Sequence, residues 1–201
     1  MSHPTGTAAI IQYHKQLVET YGSGTAGALG WMQAEGQQAR FEMLSKIGNV
    51  NGCSDLDAGC GHADLFSFLK TKYPTVTYYG CEQMPELLNI AARRYKGEKN
   101  ITLRLANFLQ DPLPHTDYIL ASGSLNYRQE KDEFIYKAIS ILYTQCRLGF
   151  GFNLLSGSVD EDNLLVAYEA QEIISFCHTL SGKVALHEGY WPDDFTVFMY
   201  K

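Results

Sequence analysis

The chain lacks any long apolar segment. No stretch of its 201 residues approaches the roughly 18 consecutive apolar residues that a membrane span requires. The first residues are polar and include an early proline, and no basic segment leads into an apolar run, as it would in a secretory signal. We therefore expect no membrane partner and residence in the cytoplasm.

Patterns typical of metal sites, disulfides and serine hydrolases are also missing. The five cysteines are widely spaced without a C-x-x-C pair, and none of the six histidines has a partner at zinc or iron spacing. Ser122-Gly123-Ser124 lacks the G-x-S-x-G pattern of a nucleophile elbow. We expect reduced thiols, no metal and no esterase chemistry.

Clustered positive charge is scarce. The formal net charge is -6, and the Arg93-Arg94 pair, followed by two lysines, resembles the solvated end of a helix more than a phosphate-binding stripe. Nucleic acid is therefore not an expected partner. Oligomeric state is left open between a monomer and a homodimer.

The hydrophobic pattern is that of an α/β protein. Short apolar runs alternate with amphipathic stretches of helical length, which predicts βαβ units and a mainly parallel sheet. Strands are predicted at residues 54–57, 75–81, 101–105, 118–121 and 148–155. Helices are predicted between them at residues 63–72, 85–95, 131–146 and 164–180.

The two ends of the chain differ from this alternation. Residues 1–50 contain two predicted helices, at 7–19 and about 34–47, joined by a glycine-rich connection that is either a lid over a cleft or an irregular surface loop. Residues 51–201 form the predicted sheet domain. Its last part holds two strand-like runs, 183–190 and 195–200, whose connecting turn predicts an antiparallel hairpin.

The most informative motif is a glycine turn after the first predicted strand. Gly59 and Gly61 would allow the backbone to approach a ligand closely. A dinucleotide fingerprint would place a third glycine near position 64, but Asp64 stands there and would repel a pyrophosphate. A nicotinamide cofactor is therefore the weaker candidate.

Polar or small residues follow the next three strands as well. Glu82 ends the second strand, where an acid can accept hydrogen bonds from ribose hydroxyls. Asn107-Phe108 follows the third strand and Ser122 the fourth. Since the carboxyl ends of parallel strands share one rim, these residues predict a ligand site there.

With these motifs the chain resembles the class I S-adenosylmethionine-dependent methyltransferases. The resemblance implies a Rossmann-like fold with a mainly parallel seven-stranded sheet, an antiparallel C-terminal strand and helices on both faces. It also implies S-adenosylmethionine as cofactor, with the methionyl part at the glycine turn, the ribose at Glu82 and the adenine at Asn107 and Phe108. The family usually has Asp where Asn107 stands. The cofactor-binding residues it implies are Asp57, Gly59, Cys60, Gly61, Glu82, Gln83, Asn107, Phe108 and Ser122.

The family likeness does not identify the acceptor. We expect direct methyl transfer to a small molecule, a reaction in which alignment and water exclusion matter and a dedicated base is optional. Candidate bases are Tyr127 and His187. Candidate acceptor-binding residues are Tyr21, Trp31, Arg40, Ser124, Asn126 and Tyr127.

Two alternatives stay open at this point. One is a non-catalytic regulatory or interaction protein that binds S-adenosylmethionine or S-adenosylhomocysteine, and the other is a nicotinamide oxidoreductase. Asp55 favours the first alternative, a non-catalytic binding protein, because it falls inside a strand expected to be buried, where the family normally has an aliphatic residue. A carboxylate there should need a partner or a position at the edge of the domain.

Overall fold

A computed structural model describes residues 5–31, 33–129, 131, 133–157 and 164–201. Seven strands form one sheet in the order β3-β2-β1-β4-β5-β7-β6. Strands β1 to β5 pair in parallel, whereas β7 runs antiparallel to both β5 and β6. The predicted mainly parallel sheet with an antiparallel last strand is confirmed. The strands are β1 Ser54–Ala58, β2 Thr77–Glu82, β3 Ile101–Leu105, β4 Thr116–Ala121, β5 Cys146–Leu155, β6 Lys183–Glu188 and β7 Asp194–Tyr200.

Helices cover both faces of the sheet, as predicted. Apolar residues of α2, α3 and α4 pack on the face that carries Tyr78, whereas α5 and α6 pack on the face that carries Leu56 and Phe152. Of β1, Leu56 and Ala58 belong to the second of these apolar layers, and the residues that alternate with them, Asp55 and Asp57, are polar. The described helices are α1 Gly6–Tyr21, α2 Ala34–Leu44, α3 Asp64–Lys72, α4 Pro85–Arg94, α5 Phe134–Gln145 and α6 Ala170–Leu180.

Two predicted helices begin later than expected. The helix predicted at 164–180 begins at Ala170, because Leu165 and Ala167 form β-bridges with Tyr127 and Leu155. An extended backbone that pairs with neighbouring segments cannot also make helical hydrogen bonds. The helix predicted at 131–146 begins at Phe134 and ends at Gln145, and residue 132 lies outside the described residues.

The connection between α1 and α2 lies over the carboxyl ends of the strands. It contains a 3-10 turn at Gly27–Leu29. The Leu29 side chain packs so closely on Gly61 that a Cβ at that glycine would lie 2.7 Å from it, and Trp31 packs in the same way on Gly123 at 3.2 Å. The N-terminal helices are thus positioned against the rim of the sheet.

The C-terminal hairpin is present and is tied to the N-terminal helices. β6 and β7 pair along their full length, and β7 separates β6 from β5. Arg40 on α2 forms an ion pair with Asp194 at the start of β7. In the part of the chain that the structure describes, no helix is both long enough and apolar enough to cross a membrane.

Candidate active site

A cavity of about 620 Å³ lies at the carboxyl ends of the central strands. Its volume is in the range of pockets that bury a ligand of drug-like size. Residues from the ends of β1, β2, β3 and β4 line it, together with residues from the first turns of α1. All nine residues predicted to bind the cofactor are among them: Asp57, Gly59, Cys60, Gly61, Glu82, Gln83, Asn107, Phe108 and Ser122.

The glycines of the β1–α3 turn are required by neighbouring side chains. Gly59 has φ of 85° and Gly61 has φ of 54°, in the left-handed region that favours glycine. A Cβ on Gly59 would lie 2.5 Å from the Cβ of Ser124, and one on Gly61 would meet Leu29. The groups that approach these two glycines closely are therefore side chains of the protein itself, Ser124 and Leu29.

The backbone N–H groups of this turn are used inside the protein. Gly59 and Cys60 both donate to the carbonyl oxygen of Cys81, at 2.9 and 3.0 Å. Gly61 donates to Oε2 of Glu82 at 3.0 Å. A dinucleotide site would present such N–H groups to a pyrophosphate. These bonds, with a carboxylate beside them, make the turn unsuited to a phosphate.

Glu82 is held rigidly at the cavity wall. Its Oε1 accepts a hydrogen bond from the N–H of Met84 at 2.8 Å, and its Oε2 accepts the one from Gly61. Burial raises the pKa of Glu82, and the backbone N–H donors oppose this effect. An ionised carboxylate offers about four lone-pair directions. Two therefore remain for hydroxyl groups of a ligand.

The pKa of Asp57 is raised above that of an ordinary carboxyl group. Burial raises its pKa to about 7, while a hydrogen bond from the hydroxyl of Tyr78 lowers it and the charges of Glu82 and Asp64 raise it further. The side chain is 3% exposed and lines the cavity. A cation bound beside Asp57 would favour the ionised form.

Asn107 is oriented by its own turn. Its Oδ1 accepts a hydrogen bond from the N–H of Leu109 at 2.9 Å, and its backbone N–H donates to Asp111 at 2.8 Å. Its Nδ2 lies 3.4 Å from Oε1 of Gln83. The amide oxygen keeps a second lone pair for a ligand. Ser122 nearby has a buried hydroxyl without a hydrogen-bond partner in the described structure.

The sequence led us to expect a partner for Asp55 or a position at the edge of the domain, and among the described residues it has neither. It is 0% exposed at the centre of the sheet, and both carboxylate oxygens lack a hydrogen-bond partner among the described residues. Burial, with a smaller contribution from Asp57, raises its pKa well above the ordinary range. The expectation of a partner or an edge position was wrong. Burial thus favours the protonated form of Asp55, in which no charge is buried.

The predicted acceptor residues fall into three groups. Trp31, Ser124 and Tyr127 line the 620 Å³ cavity, whereas Arg40 and Asn126 line a neighbouring cavity of about 240 Å³ that Trp31 and Tyr127 also border. Tyr21, at the end of α1, is 42% exposed and packs on Gly27.

The candidate base His187 lies on β6 with its ring 5.0 Å from that of Phe198. Tyr21 and His187 are not among the residues that line either cavity.

Arg40 already has a carboxylate partner. Its Nε and Nη2 donate to the two oxygens of Asp194, and its guanidinium carbon lies 4.4 Å from the centre of the Trp31 ring. The Asp194 side chain is fully buried. The edge of the guanidinium formed by Nε and Nη2, which could hold a ligand carboxylate, is therefore occupied within the protein.

His14 lines the site although it was not predicted as a site residue. This residue is 6% exposed on α1 and lines the larger cavity. Its Nδ1 lies 3.2 Å from the carbonyl oxygen of Ala28, and its Nε2 lies 2.8 Å from the hydroxyl of Tyr127. The signal in the sequence was a histidine on the apolar face of a helix, which is more often a structural residue.

Comparisons with known proteins agree with this geometry. The family model described as a methyltransferase domain matches residues 56–148. A putative methyltransferase of Mycobacterium tuberculosis is 28% identical over 155 residues, covering 72% of this chain and 91% of the relative. Acetylserotonin O-methyltransferase of Macaca mulatta is 27% identical, but this chain spans only 55% of its length. Magnesium protoporphyrin IX methyltransferase from Synechocystis, solved with bound S-adenosylhomocysteine, has a TM-score of 0.72 at 13% identity, with 96% of this chain and 98% of the other covered.

The fold and the matching domain define an enzyme of the S-adenosylmethionine-dependent methyltransferase type. Residues 56–148 match a methyltransferase domain, the fold is that of the S-adenosylmethionine-dependent methyltransferases, and the relatives named above are distant ones.

Proposed function

We propose that this enzyme transfers a methyl group from S-adenosylmethionine directly to a small-molecule acceptor. The observation that carries the proposal is the convergence of Asp57, Glu82 and Asn107 on one cavity from the ends of three neighbouring strands. The names of the relatives support the small size of the acceptor, since acetylserotonin and magnesium protoporphyrin IX are both small molecules.

The charges of the cavity suit this donor better than a nicotinamide dinucleotide. Asp57, Asp64 and Glu82 line the side next to the glycine turn. S-adenosylmethionine carries a positive sulfonium and an ammonium group, both of which carboxylates attract, whereas a dinucleotide carries a negative pyrophosphate. The Asp64 carboxylate is paired with Arg94, which leaves Asp57 and Glu82 for the ligand.

The cofactor-binding residues take separate roles in the proposal. Asp57, with the turn of Gly59, Cys60 and Gly61, faces the methionyl part and its ammonium group. Glu82 uses its two remaining lone-pair directions for the ribose hydroxyls. The second lone pair of the Asn107 amide oxygen takes the adenine amino group beside Phe108, and Gln83 and Ser122 complete the polar wall.

The protein's contribution to catalysis is alignment and exclusion of water. Bound S-adenosylmethionine supplies an activated methyl group, so the enzyme gains most by holding the acceptor atom in line with it. Residues 1–50 act as the cover of the site in this proposal, since Leu29 and Trp31 pack over Gly61 and Gly123. Trp31, Ser124 and Tyr127 form the acceptor side of the cavity.

Calorimetric titration with S-adenosylmethionine, S-adenosylhomocysteine and NADH tests the donor site. We expect saturable binding of the first two and none of NADH. Glu82→Ala should weaken the binding of both by about 1–3 kcal/mol, because two hydrogen bonds to the ribose are lost. Glu98→Ala is the matched control, since Glu98 forms an exposed ion pair with Lys70 far from the turn. Equal binding by Glu82→Ala and the wild type would contradict the proposed role of Glu82.

Turnover separates an enzyme from a binding protein. Conversion of S-adenosylmethionine to S-adenosylhomocysteine in the presence of a fractionated small-molecule extract supports methyl transfer. Tight binding without conversion in any fraction would favour the regulatory alternative. Saturable binding of NADH alone would contradict the proposal and favour an oxidoreductase.

A further inference from the structure

The smaller cavity has an aromatic wall. Its volume is about 240 Å³, and a cavity of roughly 150 Å³ lined by apolar residues is enough to bind benzene. Tyr13, Trp31, Tyr127 and Trp191 line it, and Trp31 and Tyr127 also line the larger cavity. A ligand in the smaller cavity would therefore reach the donor site past these two side chains. Aromatic walls favour a flat ring, which can pack edge-to-face or offset against them.

The charges of this cavity favour an uncharged ligand. Among its described lining residues, Arg40 is the only one with a permanent charge. Its Nε and Nη2 donate to the two oxygens of Asp194, whose carboxylate compensates its charge, and its guanidinium covers one face of Trp31. An anion would find the charge of Arg40 already compensated by Asp194, and a cation would find one face of Trp31 covered and no carboxylate among the described lining residues. A neutral ring meets neither obstacle.

His14 and Tyr127 form a hydrogen-bonded pair at the boundary of the two cavities. The carbonyl oxygen of Ala28 can only accept, so Nδ1 of His14 carries the hydrogen and Nε2 is the acceptor for the Tyr127 hydroxyl. Burial lowers the pKa of His14 and raises that of Tyr127, so both are neutral and in this arrangement. The other titratable groups that act on the pair are Tyr13, His62 and Glu82. The Tyr127 oxygen retains a lone pair that can accept a proton from a ligand.

We propose that the smaller cavity binds the methyl acceptor, that this acceptor is an uncharged aromatic ring bearing a hydroxyl group, and that Tyr127 and His14 remove its proton. This inference rests on the proposed function and deepens it. The acceptor's O–H proton passes to the Tyr127 oxygen while the Tyr127 proton passes to Nε2 of His14. The acceptor oxygen forms the new bond to the methyl carbon, and the donor's sulfur keeps the electron pair of the broken C–S bond. His14 afterwards returns its proton to solvent.

Tryptophan fluorescence tests the acceptor cavity without turnover. The chain has two tryptophans, Trp31 and Trp191, and both line this cavity. Titration of the S-adenosylhomocysteine complex with 4-methylphenol should give a saturable change in emission. The anionic 4-hydroxybenzoate and the cationic tyramine should bind at least about tenfold more weakly, a difference of about 1.4 kcal/mol. Charged probes that bind as tightly as 4-methylphenol, or no saturable change with it, would overturn the inference.

The proton-transfer role is tested by the acidity of the acceptor. Tyr127→Phe and His14→Gln should each lower kcat for 4-methylphenol by about 100-fold, within the usual range for acid–base catalysis. The loss should be much smaller for the more acidic 4-nitrophenol, which needs less help to lose its proton. A merely structural role would slow both phenols equally, and that result would overturn the inference.

Two variants control for the loss of one hydrogen bond elsewhere. The Tyr143 hydroxyl donates to the Tyr200 carbonyl at 3.0 Å, and Nδ1 of His115 lies 3.1 Å from the Gln145 carbonyl oxygen, both outside the two cavities. Tyr143→Phe and His115→Gln should retain the wild-type rates. Failure of the wild type to bind S-adenosylmethionine would overturn the proposed function. Donor binding with no binding or turnover of 4-methylphenol would overturn this inference alone.

Discussion

The two proposed halves of the site are held together differently. We call them the cofactor half (Asp57, Gly59, Gly61, Glu82 and Asn107) and the acceptor half (His14, Trp31, Arg40, Tyr127 and Trp191). In the cofactor half, the bond between Gly61 and Glu82 joins residues 21 apart and connects the turn after β1 to the end of the adjacent strand β2. In the acceptor half, the bond between His14 and Tyr127 spans 113 residues and the pair of Arg40 and Asp194 spans 154.

This difference explains how one fold can serve many acceptors. The cofactor half takes its geometry from the sheet, which cannot shift without breaking its strand pairing. The acceptor half depends on how the N-terminal helices dock against the rim. Substitutions there can reshape the acceptor cavity while the donor site stays intact. Three predictions follow from this division, beginning with the largest expected effect.

Removal of Arg40 should damage the acceptor half most. Arg40→Leu leaves the fully buried Asp194 carboxylate without its partner, which we expect to lower the free energy of unfolding by roughly 3–5 kcal/mol. Urea denaturation measures this loss. Lys70→Leu, which breaks the exposed pair with Glu98, should change stability by no more than about 1 kcal/mol.

A double variant sharpens this first prediction. Arg40→Leu with Asp194→Leu removes both charges and should recover most of the lost stability. If the double variant is no more stable than Arg40→Leu, packing of the arginine stem on Trp31 matters more than the charge pair.

Substitution of Gly59 should damage the cofactor half. Gly59→Ala combines a left-handed backbone with a 2.5 Å contact to Ser124, so we expect a loss of about 2 kcal/mol in S-adenosylmethionine binding. Gly52→Ala is the matched control, because Gly52 also has a left-handed φ of 72° but open space around its Cα. The control should keep full affinity in calorimetry. Equal losses in both variants would point to backbone strain alone.

Replacement of Asp55 should stabilise the sheet below the cofactor half. Because its pKa is raised in the folded state, the stability linked to its protonated form is complete below its unfolded pKa and declines as the pH rises toward the folded value. Asp55→Val should therefore raise the free energy of unfolding by about 1–3 kcal/mol at about pH 8, and by less at about pH 4.

Asp55→Asn provides the comparison for the pH effect. It cannot ionise but still buries a polar group without partners, so its gain should be smaller than that of Asp55→Val. Urea unfolding of the three proteins across this pH range gives both comparisons. A pH-independent difference between the wild type and Asp55→Val would mean that Asp55 does not titrate as the fold implies.

Most of the cofactor half could be predicted because its signals are local. Short apolar runs gave the strands, amphipathic stretches of helical length gave the intervening helices, and the polar residues stood at or just after the strand ends. The family resemblance then supplied the antiparallel last strand. The sequence could not show which side chains leave no room for a Cβ at Gly59 and Gly61, since Ser124 and Leu29 come from other segments. The late start of α6 was missed because pairing with Tyr127 and Leu155 overrides helical spacing.

The acceptor half depends on tertiary structure. From the sequence, His14 was a residue on the apolar face of an amphipathic helix, and Arg40 was a candidate for binding the acceptor. Their partners, Tyr127 and Asp194, are distant in the chain. Local patterns determined the sheet and its strand ends, because backbone geometry repeats over a few residues, and the class of cofactor followed from the family resemblance of the motifs at those ends. Only the docking of α1 and α2 on the rim decided which side chains meet around the acceptor, because such contacts depend on packing between segments that no local pattern relates.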